Sequence, residues 1–229
     1  MDYNISKISK TEAVLIAISA FVAYGLLKGI WNEGLYRLSP ILFWIADALQ
    51  FVLFPALGVI FLGRVAKIWP RNYGFRPLMP EYSLMEAAVM LVFVTVSCWA
   101  TYSVVKSIAW SYLYKSASAW GYGTVVPKSQ PMKVIVLAYL SLTTAFVEET
   151  VFRSLPWLYL NAHSMARKHI GGYVFGTSVL FAMVHWSNGP HNVLATFALG
   201  LVSASFYAKI RNIWPLVFEH FLLDFDAFS

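Results

Sequence analysis

Seven apolar stretches, each with few or no charged residues, follow one another along the chain at 13–30, 41–63, 85–110, 134–160, 171–186, 193–208 and 213–228. A hydrocarbon layer about 30 Å thick is crossed by a helix of about 20 residues. Backbone that enters lipid must satisfy its own hydrogen bonds, which a helix does within one segment. The stretches therefore predict an all-α fold, a polytopic transmembrane helix bundle of about seven spans, with six to eight compatible with the run edges. The last three are short, as expected of helices packed inside a bundle or crossing a thinned or water-entered region.

Composition excludes the competing classes. Of 229 residues, 59% are hydrophobic and 12% charged, about half the charged share of a typical soluble domain. The mean hydropathy is +0.63, and a water-soluble globule of this make-up would expose large apolar patches. The 17 Phe, 13 Tyr and 9 Trp exclude a disordered chain. A net charge of +6 would point to nucleic acid in a polar protein, but cytoplasmic loops of membrane proteins collect Lys and Arg, so the lipid bilayer is the expected partner and nucleic acid is not.

With seven spans and the N-terminus inside, cytoplasmic segments hold Lys7, Lys10, Arg64, Lys67, Arg71, Arg76, Arg167, Lys168, Lys209 and Arg211, against Lys28, Arg37, Lys115, Lys128 and Lys133 opposite. This asymmetry predicts an integral membrane protein with a cytoplasmic N-terminus, placed in a bacterial inner (plasma) membrane. The first stretch lacks a small-residue cleavage pattern and reads as a retained helix. The basic, proline-containing linker 64–80 reads as a structured cytoplasmic loop. Segment 110–131, rich in Trp and Tyr, reads as an interfacial connection whose aromatics Trp110, Tyr112, Tyr114, Trp120 and Tyr122 form a belt or line a substrate path. No repeat divides the chain, and 1–229 is read as one membrane domain. Cys98, the single cysteine, reads as a small core residue.

Charges at membrane depth are costly and need a partner, water or a function. Those inside the stretches are Asp47, Lys106, Glu148, Glu149, Arg153, His185, Glu219, His220, Asp224 and Asp226. Asp47 and Lys106 stand alone and read as structural or snorkelling groups. Glu149 and Arg153 lie four apart, the favourable orientation for a helical ion pair. Glu148 is rotated about 100° from Glu149 and can face a cavity without a full counter-charge, as a carboxylate general base or acid would. His220 and Asp224 share a helix face, where the carboxylate can fix the imidazole tautomer. Glu219 and Asp226 fall off that face and read as solvated or headgroup-facing. A purely structural salt-bridge network accounts for the same acids and bases.

Three motifs appear in order on successive apolar segments: Glu148-Glu149-x-x-x-Arg153, Phe181-x-x-x-His185 and His220-x-x-x-Asp224, with Asn188-Gly189 after the first histidine and Ile213-Trp214 before the second. Over residues 132–226 the chain resembles the glutamic-type intramembrane proteases of the CAAX-processing and bacteriocin-processing (CPBP, Abi) family. The resemblance implies an intramembrane endopeptidase acting on a membrane-associated protein or peptide, lipidated or carrying a C-terminal signal. It implies that Glu148 activates a water with help from His185, that His220 and the residue at 224 stabilise the oxyanion, and that Glu149 and Arg153 are supporting residues. It implies no cofactor. Position 224 is often Asn in the family; an ionised Asp repels an oxyanion, so Asp224 is expected to be protonated or to act through His220. Nine residues follow His220, so the further helix that larger members place after this motif is expected to be missing.

Two alternatives follow from the same residues. Glu148, His185, His220 and Asp224 form a nitrogen and oxygen set that suits catalytic zinc with an open position. A non-catalytic immunity or scaffold protein, or a proton-coupled carrier, would also hold buried acids, although the repeated halves of a carrier are missing.

Overall fold

The computed structural model describes residues 9–79, 82–113, 125–162 and 169–229, leaving aside the side chains of 27–38 and 162. Tyr114, Trp120 and Tyr122 of the expected aromatic connection, Lys7, Lys115, Arg167 and Lys168, and the side chains of Lys28 and Arg37 lie outside this description. The described residues contain helices and no strand.

Each apolar stretch is helical. The helices are α1 (Lys10–Leu38), α2 (Pro40–Ala48), α3 (Phe54–Phe61), α4 (Leu84–Tyr112), α5 (Gln130–Glu149), α6 (Leu155–Ala162), α7 (Ile170–Met183), α8 (Pro190–Ile210) and α9 (Trp214–Phe228). Local chemistry sets several of the ends. Ser39 Oγ accepts from Ile41 N at 3.2 Å ahead of Pro40, a capped start with proline where no amide proton is needed. Ser83 and Glu86 form a reciprocal capping box at the start of α4, at 3.3 and 2.8 Å. Gly189, at φ +87°, turns the chain into α8 behind Pro190.

Among the described residues three π-helical turns, Leu49–Leu53, Leu62–Ala66 and Thr150–Ser154, interrupt what hydropathy reads as uniform runs. The first and second sit on the rod Pro40–Ala66, and the third joins α5 to α6. In the third, the Leu155 amide reaches back to the Thr150 carbonyl. Such a turn inserts one residue and rotates everything after it, and π turns recur at functional sites.

Among the described residues four rods are long and apolar enough to cross a membrane: Pro40–Ala66, Leu84–Tyr112, Gln130–Asn161 and Pro190–Ile210. The protein is therefore an all-α membrane bundle. The short helices α7 and α9 pack inside it, α7 along α8 and α9 between α5 and α4. α8 is longer than the run 193–208, because the polar His191 and Asn192 that follow Pro190, and Lys209 and Ile210 at the other end, are also helical.

The α7–α8 contact depends on a missing side chain. A Cβ on Gly200 would lie 3.0 Å from both Cα and Cβ of Ser178, tighter than most real Cβ contacts, and the obstacle includes backbone. Small residues permit this approach of membrane helices. Gly200→Leu is expected to lower stability by about 1–3 kcal/mol through overpacking. Thermal unfolding in detergent measures the loss, and unchanged stability would show that the two helices separate freely.

Candidate active site

Glu148 and Glu149 close α5 immediately before the third π turn, and Arg153 lies within that turn. Arg153 is 1% exposed and Glu149 fully buried. Arg153 Nε is 3.4 Å from Glu149 Oε2, the expected ion pair. The guanidinium also stacks over Phe181, 4.2 Å from ring centre to Cζ, a favourable arrangement for a planar cation away from water. The Arg153 carbonyl accepts from the Tyr173 hydroxyl at 2.9 Å, tying the π turn to α7.

His185 follows the last turn of α7. Its Nδ1 is 2.7 Å from the Phe181 carbonyl oxygen; a carbonyl only accepts, so Nδ1–H donates. That leaves Nε2 pointing to Glu148 Oε2, 3.9 Å away. His220, on α9, uses the same division of labour. Its Nδ1 lies 2.8 Å from Glu149 Oε1, and its Nε2 is 3.7 Å from Glu148 Oε2 and 3.5 Å from Asp224 Oδ2. Both imidazoles are thus held at Nδ1 and present Nε2 to one oxygen of Glu148. Phe181 packs edge-on against both rings, with centroids 4.8 and 6.0 Å away.

All six residues singled out by spacing, Glu148, Glu149, Arg153, His185, His220 and Asp224, come together. The partner of His220 differs from the in-helix reading. The short bond at Nδ1 goes to Glu149 on another helix, while Asp224, one turn away, approaches Nε2 at longer range. Glu219 also differs. It is 1% exposed and accepts from Ser203 Oγ at 3.4 Å, with Cys98 Sγ 3.8 Å from that hydroxyl. Because α9 is packed by α4 on the face behind His220, that face is as dry as the catalytic one, and Glu219 is no headgroup contact. Asp226 is exposed, as expected.

A cavity of about 240 Å³ is lined by four residues of this cluster. These are Glu148, His185, His220 and Asp224, and Asp47, Lys106, Asn188 and Asn192 line the same cavity. Asp47 and Lys106 are therefore not isolated. Gln50 joins them on the π turn after α2; it escaped notice because it is uncharged and its direction depends on that turn. A separate apolar groove of about 520 Å³, lined by Phe54, Leu57, Phe75 and Phe146 among others, lies between α1, α3 and α5. Among the described residues no group of three or more His, Cys, Asp and Glu side chains is arranged to hold a metal ion.

Residues 130–225 match the family model described as type II CAAX prenyl endopeptidase Rce1-like. No curated protein and no solved structure matches the chain.

Proposed function

We propose that this chain, whose residues 130–225 match the type II CAAX prenyl endopeptidase Rce1-like family model, is a CAAX-type intramembrane protease that cleaves its substrate with a water activated by Glu148. The observation that carries this reading is the convergence of His185 Nε2 and His220 Nε2 on Glu148 Oε2 at 3.9 and 3.7 Å. These separations exceed a hydrogen bond. They suit three groups that share a fourth, such as a water oxygen or a polarised carbonyl oxygen.

In this mechanism Glu148 takes a proton from water as the oxygen attacks the scissile carbonyl carbon. His185, held by the Phe181 carbonyl, orients the water through Nε2. The electron pair of the C=O bond moves onto oxygen, and His220 Nε2–H donates to that oxyanion. Glu149 and Asp224 place a carboxylate near each nitrogen of His220, which supports a ring protonated at both. Asp224 Oδ2 lies 3.5 Å from that same Nε2, so its carboxylate acts on the oxyanion through the charge it supports on His220, which is how a carboxylate serves where the family often has Asn. The proton on Glu148 then passes to the leaving amine as the C–N bond breaks.

The substrate is a membrane-associated protein carrying a lipidated or signal-bearing C-terminal segment. Arg64, Lys67, Arg71, Arg76, Lys209 and Arg211 fall at the opposite end of the bundle from the start of α2, which supports a cytoplasmic position for this basic end and for the N-terminus.

The test is cleavage of a farnesylated CaaX peptide by purified protein in liposomes. His185→Ala is expected to lower kcat by about 10²-fold or more with membrane insertion intact, and chelator treatment to leave the wild-type rate unchanged. Stoichiometric zinc, with activity lost on chelation and restored by zinc, would replace the Glu-water mechanism by a metal-dependent one.

A further inference from the structure

Lys106 lies six residues before the end of α4, about 9 Å from it along the axis. An ammonium in this part of a membrane helix is costly unless it is partnered or wet. Its Nζ donates to the Tyr102 hydroxyl at 3.2 Å and sits 5.1 Å from that ring's centre. Among the described residues it pairs with no carboxylate. It is also the only Lys or Arg among the described residues that line the catalytic cavity.

The position of Lys106 is tied to the catalytic turn. The Tyr102 hydroxyl donates to Asn192 Oδ1 at 3.4 Å, Asn192 Nδ2 donates to the Asn188 carbonyl at 2.7 Å, and the Asn188 amide donates to the His185 carbonyl at 2.9 Å. Gln50 lines the same cavity, is only 4% exposed and makes no hydrogen bond with the described residues. Its amide can both donate to and accept from a peptide backbone. Asp47, Glu148 and Asp224 line the remaining walls and repel an anion there.

We propose that Lys106 is a substrate-binding subsite for an anionic group, the terminal α-carboxylate of the peptide segment released by cleavage, with Gln50 pairing to the backbone between that carboxylate and the bond over Glu148. The enzyme then selects its scissile bond by distance from the C-terminus. This inference rests on the peptidase reading of Glu148. An acidic side chain near the C-terminus offers the same chemistry as the terminal carboxylate, and the experiment separates the two.

Binding is measured by fluorescence anisotropy to the Glu148→Gln protein, so that no turnover occurs. Three labelled farnesylated CaaX peptides serve as probes: the free acid, the carboxamide, and a carboxamide with Asp as its last residue. The acid is expected to bind about tenfold or more tightly than the plain amide, as a charge-assisted contact gives. With Lys106→Met added, acid and amide should bind within about twofold of each other, at the amide's original affinity, showing an intact cavity. Lys106→Arg should keep most of the acid preference. Tight binding of the Asp carboxamide alone assigns Lys106 to an acidic side chain and overturns the terminal-carboxylate assignment. Equal binding of acid and amide, or a preference that survives Lys106→Met, overturns the subsite itself. Failure of the peptidase reading shows separately, as wild-type cleavage that persists in Glu148→Gln.

Discussion

Glu148→Gln is expected to reduce kcat/KM by about 10²–10⁴-fold, the range that a positioned general base supplies, while leaving the protein folded. The two effects separate because of where Glu148 stands. It makes no direct hydrogen bond to either imidazole, at 3.7 and 3.9 Å, so an amide of the same shape removes basicity without breaking a bonded network. Its Oε2 is buried without a hydrogen-bond partner among the described residues, which is costly for an ionised oxygen and is tolerated where chemistry uses it. The measurement pairs initial cleavage rates with thermal unfolding in the same detergent. Retained cleavage at wild-type rate would remove Glu148 from the mechanism, and with it the reason both histidines point at one oxygen.

Glu149→Ala should have the opposite character, a stability loss of about 3–5 kcal/mol, as when one partner of a buried ion pair is removed. Glu149 binds Arg153 through Oε2 and His220 through Oε1, so its removal strands a guanidinium 1% exposed and frees the ring that carries the oxyanion donor. Glu149→Gln distinguishes the two roles. It keeps the volume and an oxygen that accepts from His220 Nδ1–H, but removes the charge that balances Arg153 and supports a doubly protonated His220. The Gln variant is expected to unfold at higher temperature than the Ala variant and yet lose at least about 10²-fold in kcat. If Gln matches wild type in both stability and kcat, the pair with Arg153 is dispensable and His220 needs no anionic partner.

The helices were readable from the chain because burial in lipid imposes one rule on every span: about 20 apolar residues whose backbone bonds close within the segment. Pairs within one helix were readable for a similar reason, since residues four apart share a face whatever surrounds them. Glu149 with Arg153 is such a pair, and the structure contains it. His220 with Asp224 is another, and it too is present, at 3.5 Å. In-helix spacing could not rank Asp224 against a carboxylate from another segment, and Glu149 makes the shorter bond. Glu219 was misjudged because position near a chain end says nothing about the α4 face packed against it.

Amino-acid order alone was enough to place the chain in a membrane and to single out its few acids, bases and imidazoles, because the cost of charge in hydrocarbon leaves so few of them that each one is conspicuous. Packing decided which of them meet. The π turn after Glu149 rotates Arg153 and all that follows, Gly200 lets α7 close on α8 and set His185, and α9 slots in beside α5 to bring His220 to both glutamates. Lys106, Asp47 and Gln50 joined the same cavity only through that packing. Contacts within a helix repeat with its fixed 3.6-residue period, whereas contacts between helices depend on tilt, rotation and depth, which are properties of the assembled bundle and of no single segment.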